Sequence, residues 1–153
     1  MAIVYFDSSA LVKLLMSEDG SDLVDEVWNG CDAAISSRLA YPEVCAALAA
    51  VEQSKLIGPS DCREAVVTWE MYWGAIRPVE LSADVASSAG TIARDSSLCG
   101  ADSVHLASAL AMGLDDLIVA VWDRQLHAAS VLAGLRVVPA LLDERDWADT
   151  KTS

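Results

Sequence analysis

Apolar residues are distributed along this chain in two alternating patterns. Ala2–Phe6 is an unbroken apolar run that stops at Asp7, and Leu117–Trp122 is another that stops at Asp123. Short runs without polar alternation predict strands covered on both faces of a sheet. Ala33–Ser36, Pro78–Leu81 and Leu135–Val138 read as further short strands. Between these runs the spacing becomes helical. Ser8 or Ser9 can cap a helix to about Ser17 that carries Leu11, Leu14 and Leu15, and Asp19-Gly20 breaks it. A second helix, Ser21 to Asn29, turns Leu23, Val27 and Trp28 inward.

A third helix, about Tyr41 to Ser54, has Pro42 in its first turn, where a missing N–H costs nothing. After Gly58-Pro59, Ser60 caps a helix to about Ile76 carrying Val66, Trp69, Met71 and Trp73. Ser82 caps the next, which ends near Leu98. Gly100-Ala101-Asp102 opens one that runs to Met112 and is stopped by Gly113. The last helix follows Asp123 and reaches about Leu132. Strands alternating with helices predict an α/β fold with a mainly parallel central sheet of about four or five strands flanked by helices. Residues 1–140 form one domain in this reading, and 141–153 a charged C-terminal tail expected to be partly disordered.

A chain of 153 residues suits a single core. No apolar run approaches the ~20 residues of a membrane span, and the N-terminus lacks the basic region of a signal peptide, so a cytoplasmic location is expected. The cysteines, Cys31, Cys45, Cys62 and Cys99, are scattered without a CxxC pair, and only two histidines occur. That argues against zinc and for reduced, buried thiols. The net charge of −13 excludes a protein that grips nucleic acid by bulk positive charge. Nucleic-acid chemistry here must rest on bound cations and a local basic rim, and the acidity invites a basic partner.

The candidate chemistry lies in four acids. Asp7 and Asp123 each follow a buried strand, and in parallel sheets ligands bind outside the carboxyl ends of the strands. Asp102 precedes an apolar helix, and Glu43 lies in the first turn of a helix dominated by Ala, Val and Leu. Each also has a plainer reading as a helix cap or a solvated first-turn acid. Carboxylates forced into one cleft repel one another unless a cation neutralises them. Hard oxygen ligands without His or Cys suit Mg²⁺ or Mn²⁺, ions used to hydrolyse phosphodiesters. His105, three residues after Asp102, reads either as a general base or as a packed structural histidine. Arg38, Lys13 and Arg124 lie near the acids and are candidate phosphate contacts or solvated charges. Trp28, Trp69 and Trp73 fit core or interface patterns, and Trp122 flanks Asp123.

Four ordered blocks carry a family resemblance. They are Tyr5-Phe6-Asp7-Ser8-Ser9-Ala10-Leu11-Val12-Lys13, Ser36-Ser37-Arg38-Leu39-Ala40-Tyr41-Pro42-Glu43-Val44, Gly100-Ala101-Asp102-Ser103-Val104-His105-Leu106-Ala107-Ser108-Ala109 and Val121-Trp122-Asp123-Arg124-Gln125-Leu126. Together they resemble the PIN-domain family, and within it the VapC-type toxins of VapBC toxin–antitoxin pairs, over residues 1 to about 140. The resemblance implies an endoribonuclease whose metal-binding and catalytic acids are Asp7, Glu43, Asp102 and Asp123, with Ser9 as a supporting hydroxyl. It also implies an RNA substrate, an antitoxin whose basic tail enters the acidic cleft, and a homodimer. The sequence departs from the pattern at Val121, where the family often has Thr. Two rival readings are a PIN-fold binding module with a degenerate site and an aspartyl-phosphate phosphotransfer protein. The second is disfavoured by Ser9 where DxD is wanted and by the lack of Lys between Lys55 and Lys151.

Overall fold

A computed structural model describes residues 1–143. The disorder expected of the tail falls on 144–153, outside the described residues.

The elements run β1 Ile3–Phe6, α1 Ser8–Leu15, α2 Ser21–Gly30, β2 Ala33–Ser37, α3 Ala40–Gln53, α4 Pro59–Ala75, β3 Arg77–Val79, α5 Ala83–Asp95, α6 Gly100–Ala111, β4 Ile118–Ala120, α7 Arg124–Leu132 and β5 Arg136–Val138. The five strands are parallel in the order β3-β2-β1-β4-β5. This is the single α/β domain expected, at the upper end of the predicted strand count.

Alternation along β1 divides the core. Val4 and Phe6 face a cluster built with Leu11 of α1, Val24 of α2, Val44 and Leu48 of α3 and Trp69 of α4. Tyr5 points to the other face, among Ile35, Leu106, Val119, Val121 and Leu126. A period of two in a central strand buries both faces, which is why Ala2–Phe6 shows no polar alternation.

The chain leaves β1 toward β2 on one side, and β4 joins β1 on the other. The strand order therefore reverses direction at β1/β4. Parallel sheets leave a crevice outside the strand ends at such a point. Asp7 directly follows β1, and Asp123 lies just beyond β4.

Several local expectations are corrected. Leu23 is exposed, and Val24 takes its place in the core. Val24, Val27 and Trp28 form the i, i+3, i+4 face that meets the sheet. In α4 the inward residues are Cys62, Ala65 and Trp69, whereas Val66 and Met71 point to solvent. Helix α4 begins two residues earlier than Ser60 implied, with Pro59 in its first turn and Gly58 before it. The cap of α1 is Asp7 rather than Ser8 or Ser9, since its side chain accepts from the Ala10 N–H. The cap of α6 is Cys99, which places Asp102 in the first turn. Ser82 caps α5 as expected. All four cysteines are free thiols; Cys62 is buried, Cys31 and Cys45 are half-buried, and Cys99 is exposed. The expectation of buried thiols is met in full only at Cys62, and Cys99 lies exposed at the start of α6. No helix among the described residues is long and apolar enough to cross a membrane.

Candidate active site

The site begins with one hydroxyl. Ser9 donates to Asp7 Oδ1 at 2.7 Å and accepts from the backbone N–H groups of Trp122 at 2.9 Å and Asp123 at 3.3 Å. Ladder bonds Asp7 N–H to Ala120 carbonyl and Val121 N–H to Val138 carbonyl carry the strand pairing up to this point. Ser9 then satisfies the donors beyond it. One side chain thus clamps the end of β1 to the end of β4 and fixes the spacing of two acids.

Asp7 is 2% exposed. Its Oδ1 also accepts from the Ala10 N–H at 3.0 Å. Burial pushes its pKa up to about 6, and the nearby Asp123 charge adds to that rise. His105, Ser9 and the Ala10 N–H oppose it. Asp123 caps α7 through Oδ1, which accepts from the Leu126 N–H at 2.8 Å. The capping role read for Asp123 is real, and it fixes one carboxylate oxygen at the start of α7. Burial also raises the Asp102 pKa, a rise that Asp123 and Glu43 reinforce and that Cys99 and His105 counter.

Glu43 is joined to the cluster by His105, whose Nε2 lies 2.6 Å from Glu43 Oε1. Its Nδ1 is 2.8 Å from the Tyr5 hydroxyl. Both ring nitrogens are engaged and the residue is 1% exposed, so the ring is placed as a packed, hydrogen-bonded histidine rather than as a free base. Burial works against an imidazolium. The Glu43 hydrogen bond and the charges of Asp7, Glu43 and Asp102 outweigh it and raise the His105 pKa.

All four predicted acids therefore belong to one electrostatic neighbourhood. Among the described residues, however, no three His, Cys, Asp or Glu side chains form a ready-made cation cage. Mutual repulsion accounts for an open arrangement. An all-carboxylate donor set with one acid held in a dry position fits a hard cation. Mg²⁺ keeps several waters and takes only one or two protein carboxylates directly, so it does not require a closed cage.

The basic candidates separate. Lys13 is buried; its ammonium donates to Glu18 Oε1 at 3.1 Å and the Asp19 carbonyl at 2.7 Å, and lies 5.8 Å from the Trp122 ring centroid. That placement ties down the α1–α2 turn rather than presenting the charge to a phosphate. Arg38 is exposed and paired with Glu80. Arg124 is exposed at the start of α7. Trp122 is buried, with its indole against Gly20. Gly20 has φ +91°, and a Cβ there would come 2.7 Å from Trp122 Nε1. Gly20→Ala should therefore cost about 1–3 kcal/mol, read as a lower urea midpoint. An unchanged midpoint would show that the turn does not brace Trp122.

A PIN domain profile matches residues 4–132. The chain belongs to the PIN-domain family. It is 57% identical over 143 residues to Ribonuclease VapC45 and to Ribonuclease VapC49, from two strains of Mycobacterium tuberculosis, covering 94% of this chain and 99% of each relative. Among solved structures, PAE2754 from Pyrobaculum aerophilum superposes with a TM-score of 0.66 at 22% identity, over 97% of this chain and 99% of that one. A toxin–antitoxin complex from Klebsiella pneumoniae gives 0.65 at 17% identity, over 94% and 100%. These structures share the fold, and the 57% relatives place this PIN domain with the VapC ribonucleases.

Sequence reasoning overlooked Tyr5 and Cys99. Tyr5 had a detectable signal, since it sits two residues before Asp7 and so points to the same side of β1. Cys99 had none, because a thiol is not among the usual capping residues.

Proposed function

We propose that this PIN domain is a metal-dependent endoribonuclease, the toxin of a type II toxin–antitoxin pair, which hydrolyses RNA phosphodiesters with Mg²⁺ or Mn²⁺. The observation that carries the reading is the buried Asp7 carboxylate at the β1/β4 switch point, its pKa pushed up to about 6, with Asp123 near it and Asp102 near both Asp123 and Glu43. A dry carboxylate is costly for the fold and is best explained by a cation it serves.

Asp7, Asp102, Glu43 and Asp123 would hold the metal. A cation bound there supplies a polarised phosphodiester and an acidified attacking water. The chain's own contribution is placement. Ser9 holds Asp7 against the Asp123 backbone, and α7 orients Asp123 by its cap. His105 holds Glu43. Arg38 and Arg124 would meet RNA phosphates outside the acids. Val121 is fully buried in the core, so the oxygen that Thr would bring is absent on the Asp123 side.

The toxin–antitoxin complex from Klebsiella pneumoniae that shares this fold and the charge of −13 support an antitoxin partner whose basic tail enters the acidic cleft, and a cytoplasmic location goes with that reading. Homodimerisation goes with the same reading. The test is to incubate the purified protein with RNA in Mg²⁺, Mn²⁺ or EDTA. Cleavage should require the cation. Cleavage undiminished in EDTA would overturn the mechanism, and a protein that binds no Mn²⁺ would be a binding module with a degenerate site.

A further inference from the structure

We propose that His105 is a positioning residue that fixes the Glu43 carboxylate for cation binding, and that Tyr5 in turn fixes His105. The inference deepens the metal-dependent reading above and rests on it.

The Ser37 backbone N–H donates to the Tyr5 oxygen at 3.1 Å. With that acceptor position filled, the Tyr5 hydroxyl proton is directed to His105 Nδ1 at 2.8 Å. In the neutral ring the remaining proton is then on Nε2, pointing at Glu43 Oε1 at 2.6 Å. In the charged ring Nε2 also carries a proton. The donation to Glu43 therefore holds in either protonation state.

The relay joins four elements: the end of β2 through Ser37, β1 through Tyr5, α6 through His105 and α3 through Glu43. Tyr5 and His105 are both fully buried and meet edge to face, with ring centroids 6.0 Å apart at 81°. Glu43 is the most exposed partner, at 28% for its side chain, and it sits in a first turn without a side-chain cap. A Glu side chain has three torsions that must be fixed before its carboxylate can meet a cation. The His105 bond occupies Oε1 and restrains the carboxylate, just as outer-shell partners orient metal ligands elsewhere.

The experiment is Mn²⁺ titration of the full chain by calorimetry, with metal-free thermal unfolding as a fold control. His105→Leu should weaken Mn²⁺ binding on the order of tenfold to a hundredfold. His105→Gln, which keeps an N–H at the Nε2 position, should recover most of that loss. In a Glu43→Gln background His105→Leu should cost nothing further, because the carboxylate it positions is already gone. A merely structural histidine would not give this dependence. Tyr5→Phe should show a smaller loss that likewise vanishes in the Glu43→Gln background, and it carries the test if His105→Leu does not fold. Unchanged Mn²⁺ affinity in these variants, or losses that multiply with Glu43→Gln, would overturn the proposal. A wild-type chain that binds no Mn²⁺ would instead overturn the metal-dependent reading itself.

Discussion

Replacing Asp7 by Asn should abolish RNA cleavage while making the metal-free protein more stable. The two effects have the same origin. Asp7 is fully buried and its pKa is pushed up from 3.8 to about 6, with desolvation as the main cause. A folded pKa above the unfolded one means that the native state binds the proton more tightly. The penalty of holding the charge is therefore absent at low pH, grows between the unfolded value and pH 6, and is complete above it. A shift of this size corresponds to roughly 3 kcal/mol at neutral pH. The metal-free wild type should lose stability from this group between about pH 4 and pH 6. Asp7→Asn should lack that dependence. Asn keeps an oxygen for the Ser9 and Ala10 donors, so the cap and clamp survive. Catalysis does not survive, because a neutral amide is a poor ligand for a hard cation. A fall of at least a hundredfold corresponds to about 2.7 kcal/mol of transition-state stabilisation, within what bound metals supply. Urea unfolding from pH 4 to 8 without metal, together with an RNA cleavage assay, measures both. A variant less stable than wild type at pH 7.5, or one that retains activity, would refute the account.

The second large effect is expected at Ser9. Ser9→Ala removes a donor to Asp7 and leaves the Trp122 and Asp123 N–H groups without their acceptor. Trp122 is buried, so water does not readily replace the lost oxygen. An unsatisfied buried backbone donor costs about 1–3 kcal/mol, and two donors plus a loosened Asp7 should cost about 2–4 kcal/mol together. Ser9→Thr keeps the oxygen and should retain most of that stability. Differential unfolding of the two variants separates the hydroxyl from the packing. Equal losses in both would mean that the clamp is not what holds the strand ends. Cleavage should fall in Ser9→Ala as well, because the spacing of Asp7 and Asp123 depends on this one side chain.

These expectations show how unevenly the site could be read from the chain. Asp7 and Asp123 were visible because each ends an apolar run, and a buried parallel strand that stops at an acid places that acid at the crevice. Glu43 and Asp102 were much less visible, since a first-turn carboxylate is ordinary on any helix. Only the approach of α3 to α6 distinguishes them, and that is a contact between residues 62 positions apart. Lys13 misleads for the same reason. Its neighbours in sequence suggest a phosphate contact, whereas the return of the chain at Glu18 and Asp19 encloses it.

By itself the sequence determined the alternation of strands and helices, the parallel sheet, the two strand-end acids and the exclusion of a bulk-charge nucleic-acid binder. Each of these follows from local periodicity, chain length or net charge. Helix faces were legible only in part. Leu23 and Val66 are as apolar as the residues that replace them in the core, and which side of a helix is buried depends on where the sheet lies. Tertiary structure alone decided the clamp at Ser9, the dry setting of Asp7 and the line from Ser37 through Tyr5 and His105 to Glu43. Those features depend on hydrogen bonds and desolvation between distant segments, for which local pattern carries no information.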